Sequence, residues 1–179
     1  MRLPRFALVA VAFVALPLRA PAQPAPAPGV AIPAARPNDV MSVDSILAAL
    51  YASISTPAGT KLDPDRFRSL FAPDARLIPT GPRGIRSLTV EQYIRGSFPV
   101  IEQNGFYERE IARTVEQFGG IVQAFSTYES RHSAADPAPF ARGINSIQLY
   151  NDRQRWYVVT IFWQAESAGN PIPAEYLPK

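Results

Sequence analysis

Few side chains in this chain have the types and spacing that chemistry needs. His132 is the single histidine, and a histidine can act as a general base near neutral pH. Its place at the end of a predicted strand is suggestive, but a surface histidine beside a loop is the more ordinary interpretation. Tyr51 carries a hydroxyl that needs a partner if buried, although a tyrosine on an apolar helix face is commonly a core residue. The chain has no cysteine, so we predict no transition-metal site.

Asn145 and Thr160 are two more polar candidates, and both lie in a predicted hairpin near the C-terminus. If Asp152-Arg153 forms its turn, Leu149 pairs with Trp156 and Ile147 with Val158. Side chains alternate along a strand, so this register defines one sheet face under the helices. That face carries Asn145, Ile147, Leu149, Trp156, Val158, Thr160 and Phe162.

We therefore predict a ligand site with an apolar floor and a few convergent polar groups, which is what small-molecule sites need. No nucleophile elbow, phosphate loop or paired-carboxylate motif is present, so we predict no catalytic residue, no metal and no cofactor. The predicted ligand-binding residues are Tyr51, His132, Asn145, Trp156, Thr160 and Phe162.

Charged residues offer weaker candidates. Glu129 and Arg131 are predicted to pair with Arg142 on the neighbouring strand, which is the ordinary cross-strand arrangement. Buried together, they could instead hold an anionic or hydroxylated ligand. Arg83 and Arg86, on a loop rich in glycine and proline, could steer an anion or simply be solvated.

Three helices must position these groups. Apolar residues recur at helical spacing from Val43 to Ile54. Asp63-Pro64 is an N-cap followed by proline at the first helical position, and Pro73 ends that helix. Thr89 and Gln92 form a capping box that opens the third helix, which stops at Asn104-Gly105.

A short strand, residues 76–78, precedes the third helix, and four long strands follow it, over residues 106–118, 121–133, 142–150 and 155–166. The outer face of the last strand carries Tyr157, Val159, Ile161 and Trp163, which is too apolar for free solvent. We predict that this convex face forms a homodimer interface.

The N-terminus is predicted to be a leader. Arg2 and Arg5 precede the apolar run 6–16, and Ala20-Pro-Ala22 is a small-residue cleavage site, so residues 1–22 match a secretory signal peptide. Eleven apolar residues are too few for the ~20 that span a bilayer. We predict export to the periplasm or the extracellular space, without stable membrane insertion after cleavage.

The rest of the chain is predicted to be a Pro/Ala-rich linker, residues 23–37, and a single domain, residues 38–179, with a short irregular C-terminal tail. The leader holds three of the 18 Lys and Arg residues and none of the 15 acidic ones, so the mature chain has no net charge. A protein without a clustered basic surface is not expected to bind nucleic acid.

Three motifs carry a resemblance to a known family: Leu70-Phe-Ala-Pro-Asp-Ala75, the helix opened by Thr89, and Arg142-Gly-Ile-Asn145 followed by Arg155-Trp-Tyr-Val158 and Trp163. Over residues 39–166 the chain resembles the nuclear transport factor two-like superfamily, which includes ketosteroid isomerase, scytalone dehydratase, limonene epoxide hydrolase and SnoaL-like cyclases. The resemblance implies an α+β fold with three N-terminal helices on a strongly curved, mainly antiparallel sheet that forms a cone (a cystatin-like roll).

The resemblance does not carry the isomerase activity with it. The position of the isomerase's first catalytic acid matches Pro79, and the strand of its second acid, residues 142–150 here, contains none. Its helix-one tyrosine matches Tyr51 only if residues 56–61 contain an insertion. Three hypotheses therefore stay open. The first is a domain that binds a small apolar molecule, and the second is a metal-free isomerase, dehydratase or cyclase that uses Tyr51, His132 or Asn145. The third is a non-catalytic interaction module.

Overall fold

The computed structural model describes residues 32–81 and 84–179. The predicted signal peptide, most of the predicted linker and Arg83 lie outside these residues. In the described part of the chain, no helix is long and apolar enough to cross a membrane.

Four helices precede or interrupt the sheet: α1 Pro37–Val40, α2 Val43–Ser53, α3 Pro64–Ser69 and α4 Val90–Asn104. The single turn α1 is an addition to the three predicted helices. The predicted caps are present, since the Asp63 side chain accepts from the backbone N–H of Arg66, and Thr89 and Gln92 form a reciprocal capping box. A second capping box, between Ser42 and Ser45, opens α2.

The strands are β1 Phe71–Gly81, β2 Gly84–Ile85, β3 Tyr107–Phe118, β4 Ile121–Arg131, β5 Ala141–Asn151 and β6 Trp156–Ala165. They form one sheet in the order β2-β1-β6-β5-β4-β3. All neighbours are antiparallel except β1 and β6, which run parallel. The predicted α+β fold with helices on a curved, mainly antiparallel sheet is confirmed.

The core lies between the helices and the concave face of the sheet. Its fully buried side chains come from every layer, because each helix turns one apolar stripe inward. They include Ile46, Leu47, Phe67, Leu70, Phe71, Leu77, Ile147, Leu149 and Val158.

The predicted register of the last hairpin is wrong in two ways. The turn is longer than expected, so Leu149 lies opposite Val158 and Asn151 opposite Trp156. The register then shifts between Gln148 and Leu149, and Val159 is the extra residue of a β-bulge.

The bulge exchanges the two faces for the remainder of β6. Ile161 lies opposite Ile147, and Trp163 opposite Asn145, so both belong to the concave face and not to the convex one. Thr160 and Phe162 move to the convex face, where Phe162 is 42 % exposed whereas Ile161 is 6 % exposed.

Candidate functional site

A cavity of about 130 Å³ opens between the helices and the concave face of the sheet. Its walls are mainly apolar and aromatic, and a few polar groups are gathered at one side. The lining comes from α2, α3, α4, β1 and the last four strands: Leu50, Tyr51, Ile54, Phe67, Leu77, Tyr93, Phe106, Glu108, Tyr128, Asn145, Ile161 and Trp163.

An aromatic wall closes one side of this cavity. The Tyr93 ring from α4 stacks on Phe67 from α3, with ring centroids 5.5 Å apart. The same Tyr93 ring meets Trp163 edge to face at 6.3 Å and Phe98 edge to face at 6.5 Å. Aromatic pairs of this kind add stabilisation beyond the burial of their surface. The wall is therefore held in place by contacts among α3, α4 and β6.

The polar side is built around Tyr51. The buried stripe of α2 directs this side chain into the sheet, where its hydroxyl lies 2.6 Å from the Ser126 hydroxyl. Asn145 Nδ2 donates to the Tyr51 oxygen over 3.1 Å. Burial raises the pKa of Tyr51, because the phenolate would lose its solvation there.

Glu108 is the acidic residue among those that line the cavity. Ser130 Oγ donates to its carboxylate over 2.8 Å, and its backbone N–H donates to Ser55 Oγ over 3.0 Å. Burial raises the pKa of Glu108 to about 7, against the opposing effect of hydrogen bonds from Ser130 and Asn145. Near neutral pH this group is therefore poised to hold or release a proton.

A second β-bulge turns Glu108 toward the cavity. Phe118 lies opposite Ile121 at the tight turn, but the register shifts between Glu110 and Ala112. Without that shift Glu108 would lie opposite Arg131 on the convex face. With it, Glu108 lies opposite Ser130 on the concave face.

The six predicted ligand-binding residues divide into two groups. Tyr51 and Asn145 line the cavity and bond to each other. Trp156 is buried in the core but is not among the residues that line the cavity. The bulge at Val159 places Thr160 and Phe162 on the opposite face of the sheet. The binding role of Tyr51 and Asn145 stays a prediction.

His132 lies away from the cavity. Its ring stacks on Phe140 with centroids 4.3 Å apart, and Nδ1 is 3.4 Å from the Gly105 carbonyl oxygen. Neither contact brings the imidazole to the cavity lining.

The sequence interpretation missed Glu108, Tyr93 and Tyr128. All three line the cavity, and burial raises the pKa of both tyrosines. The available signal was the two-residue spacing of Ser126, Tyr128 and Ser130 along one strand. This spacing marks a polar stripe on one face of β4, and the β3 residues opposite these three lie on the same face of the sheet.

Glu129 lies opposite Arg142 on the neighbouring strand, as predicted, but the two side chains do not form an ion pair. Glu129 pairs with Arg109, 2.5 Å away, and with Arg131, whereas Arg142 pairs with Glu166 at 2.9 Å. Hydrogen bonds from Arg131 and then Arg109 lower the pKa of Glu129. Among the described residues, no group of three His, Cys, Asp or Glu side chains could hold a metal ion.

Comparison of the whole fold defines a class. The chain has a cystatin-like α+β fold, which is the fold implied by the resemblance that its motifs carry.

The particular structures it resembles are distant. One is a protein of unknown function with a cystatin-like fold from Nostoc punctiforme, with a TM-score of 0.57 and 12 % identity over 72 % of this chain and 91 % of that one. Another is LinA, with a TM-score of 0.52 and 10 % identity over 74 % of this chain and 95 % of that one. No family model and no curated protein matches the sequence. Sequence identities this low show a shared fold only, so the function has to be inferred from the residues of the site.

Proposed function

We propose that this protein is an exported domain that binds a small, mostly apolar molecule in the cavity between its helices and its sheet. The observation that carries the proposal is an apolar, aromatic-walled cavity with Tyr51, Asn145 and Glu108 gathered at one side. Apolar walls bury the body of a ligand, and a few fixed polar groups orient it.

The size of the cavity limits the ligand. Its volume of about 130 Å³ is close to that of an engineered apolar cavity, about 150 Å³, that holds benzene. A molecule with one six-membered ring and a single polar substituent therefore matches the available space.

Two measurements test the binding proposal. Mass spectrometry of the purified native protein, followed by extraction, would identify any small molecule that co-purifies. Titration of the isotope-labelled protein with cyclohexanol, followed by NMR, should shift signals of cavity residues in a saturable way. The proposal fails if no ligand co-purifies and cyclohexanol leaves the cavity signals unchanged.

A matched pair of variants locates the site. Asn145→Ala removes a polar group of the cavity and should weaken cyclohexanol binding about tenfold, the effect of roughly one hydrogen bond. Ser146→Ala removes a neighbouring polar group on the opposite face and should leave binding unchanged. Equal effects of the two variants would contradict binding in the cavity.

A second candidate function is metal-free proton transfer, and the raised pKa of Glu108 favours it. A carboxylate with a pKa of about 7 in an apolar site is a stronger base than a solvated one, and about half of it is ionised at neutral pH. The second candidate assigns Glu108 as the general base, with the nearby tyrosine hydroxyls contacting the substrate.

Nitroethane is a suitable probe for this candidate, because it is a small carbon acid. Glu108 would take the proton from the carbon, leaving the nitronate, and a deuteron exchanged in from D₂O would return to the same carbon. Deuterium incorporation measured by NMR should increase as the pH rises through about 7 and should fall about 10²-fold in Glu108→Gln. Exchange that is independent of Glu108 would exclude this function and leave ligand binding standing.

A further inference from the structure

We infer that the polar side of the cavity selects a ligand that donates a hydrogen bond, so that a cyclic alcohol is preferred over the ketone of the same shape. This inference rests on the proposed ligand-binding function. It follows from the direction of a hydrogen-bond chain that begins at Asn145 and ends at Glu110.

The direction is set at the Glu110 end. Arg113 Nη1 lies 3.5 Å from Glu110 Oε1, and the carboxylate has no hydrogen of its own, so it can only accept. Ser126 Oγ contacts Glu110 Oε2 and must be the donor. A serine hydroxyl has a single hydrogen, and here it is committed to Glu110.

The same reasoning fixes the direction in which the hydrogen of the Tyr51 hydroxyl points. Because the hydrogen of Ser126 is already used, its oxygen can only accept at the 2.6 Å contact with Tyr51. The phenolic hydrogen therefore points toward Ser126 and away from the cavity. The Tyr51 oxygen in turn accepts from Asn145 Nδ2 at 3.1 Å.

Tyr51 consequently offers the cavity only a lone pair. Glu108, when ionised, is likewise an acceptor. A ketone oxygen placed between these two would meet two acceptors and lose its own hydration without replacement. A hydroxyl group can donate to either of them.

The remaining polar groups of the cavity do not change this requirement. The two hydrogens of the Asn145 amide are used by Tyr51 and by Glu108. Tyr93 and Tyr128 can donate or accept, because each hydroxyl carries one hydrogen and two lone pairs. They can contact a second polar group of the ligand, but the group that meets Tyr51 has to be a donor.

The test compares cyclohexanol with cyclohexanone, which share ring size and differ in the polar group. Affinities are measured by NMR titration of the full-length protein at about pH 8, where Glu108 with its pKa of about 7 is mainly ionised. We expect the alcohol to bind about tenfold more tightly than the ketone. Equal affinities, or a preference for the ketone, would overturn the inference while leaving the proposed binding function intact. If neither compound binds at millimolar concentration, the proposed function fails and the inference with it.

A pair of serine variants tests the cause of the preference. Ser126→Ala removes the group that holds the Tyr51 hydrogen, which can then turn into the cavity, so the alcohol preference should fall at least about threefold. Ser69→Ala removes another buried serine hydroxyl, which donates to the Arg66 carbonyl oxygen outside the chain of bonds, and should keep the full preference. An unchanged preference in Ser126→Ala would contradict the proposed cause.

A measurement on the unmodified protein needs no ligand and no variant. The Tyr51 hydroxyl hydrogen, bonded and buried, should give a slowly exchanging NMR signal with a nuclear Overhauser contact to the Ser126 β-hydrogens. A Tyr51 hydroxyl signal that lacks this contact and instead shows one to Trp163 or Ile161 would place the hydrogen in the cavity and overturn the inference.

Discussion

Trp163 on β6 lies directly opposite Asn145 on β5, and both side chains line the cavity. The relationship depends on the bulge at Val159, which moves every later residue of β6 to the other face. Bulges of this kind re-aim side chains near functional sites. Here the bulge brings an indole into the cavity wall and removes the phenyl ring of Phe162 from it.

The bulge can be tested by placing a charge on each side of it. Ile161→Asp puts a carboxylate in the core and should reduce the free energy of unfolding by more than about 3 kcal/mol, because the described residues that line the cavity beside it include no Lys or Arg. Thr160→Asp, one residue earlier, places the same group on the partly exposed convex face and should cost less than about 1 kcal/mol. Urea denaturation measures both, and the reverse order would show that the strand has no bulge.

The Tyr51 hydroxyl is expected to stabilise the fold. Tyr51→Phe removes the acceptor of one N–H of the buried Asn145 amide and leaves the Ser126 oxygen without its donor. We expect a loss of about 1–3 kcal/mol in unfolding free energy. Tyr150→Phe, on an exposed part of β5, is the control and should change the stability little. Equal losses would show that the buried hydroxyl has no special role.

Glu108 should make the stability depend on pH in a direction opposite to that of the paired acids. Its folded pKa of about 7 exceeds the ordinary 4.5, so the folded state holds the proton more tightly than the unfolded state. The stabilisation is fully present below about pH 4.5 and is lost as the pH rises through about 7, by about 2–3 kcal/mol in total.

Urea unfolding between about pH 5 and about pH 8 measures this loss. Glu108→Gln cannot ionise, so its stability should stay level over the same interval. A wild-type protein whose stability is as flat as that of the variant would show that Glu108 ionises without penalty.

Gly105 is predicted to tolerate no side chain. Its φ is +73°, and a Cβ there would lie 2.6 Å from the backbone oxygen of His132 and 2.9 Å from the backbone nitrogen of Ala58. Gly119 also has a positive φ, +55°, but has open space around it. Gly119→Ala should cost about 1–2 kcal/mol from backbone strain alone. Gly105→Ala should cost clearly more in the same thermal unfolding measurement, and similar costs would contradict the close approach.

The homodimer remains a prediction, now with a corrected interface. Tyr157, Val159 and Phe162 lie on the convex face, and Val159 and Phe162 are exposed there. Light scattering should show a dimer for the unmodified protein. Val159→Glu should yield a monomer, because a buried unpaired charge costs several kcal/mol. A monomeric unmodified protein would rule out this interface.

Export is tested separately. Cleavage after Ala22 should give a secreted or periplasmic protein whose intact mass corresponds to residues 23–179. An exported protein that retains Met1 would contradict the signal-peptide prediction.

Local signals in the sequence were enough for three of the four described α-helices and for most of the strands. Caps such as Asp63 and Thr89 act within one turn, so their residues mark the helix starts directly. A bulge leaves no comparable signal in the sequence. Val159 and Ile111 are ordinary strand residues, and each is an extra residue only in relation to the partner strand, which has no residue opposite it. The candidate site could be predicted only as far as Tyr51 and Asn145, because Trp163 and Glu108 reach the cavity through those bulges.

The parallel pairing of β1 with β6 has a consequence for the order in which the molecule can assemble. Leu77 pairs with Ile161, and Ile78 with Phe162, so the first long strand depends on the last one for its only long neighbour among the described strands. Contacts between such distant segments form slowly, because a long stretch of chain must be closed before they bring any stabilisation. A nascent chain that ends before β6 leaves β1 paired only with the two-residue strand β2, and the Ile161 and Trp163 side of the cavity is missing. The cavity is therefore a late product of folding, completed only when both ends of the domain have met.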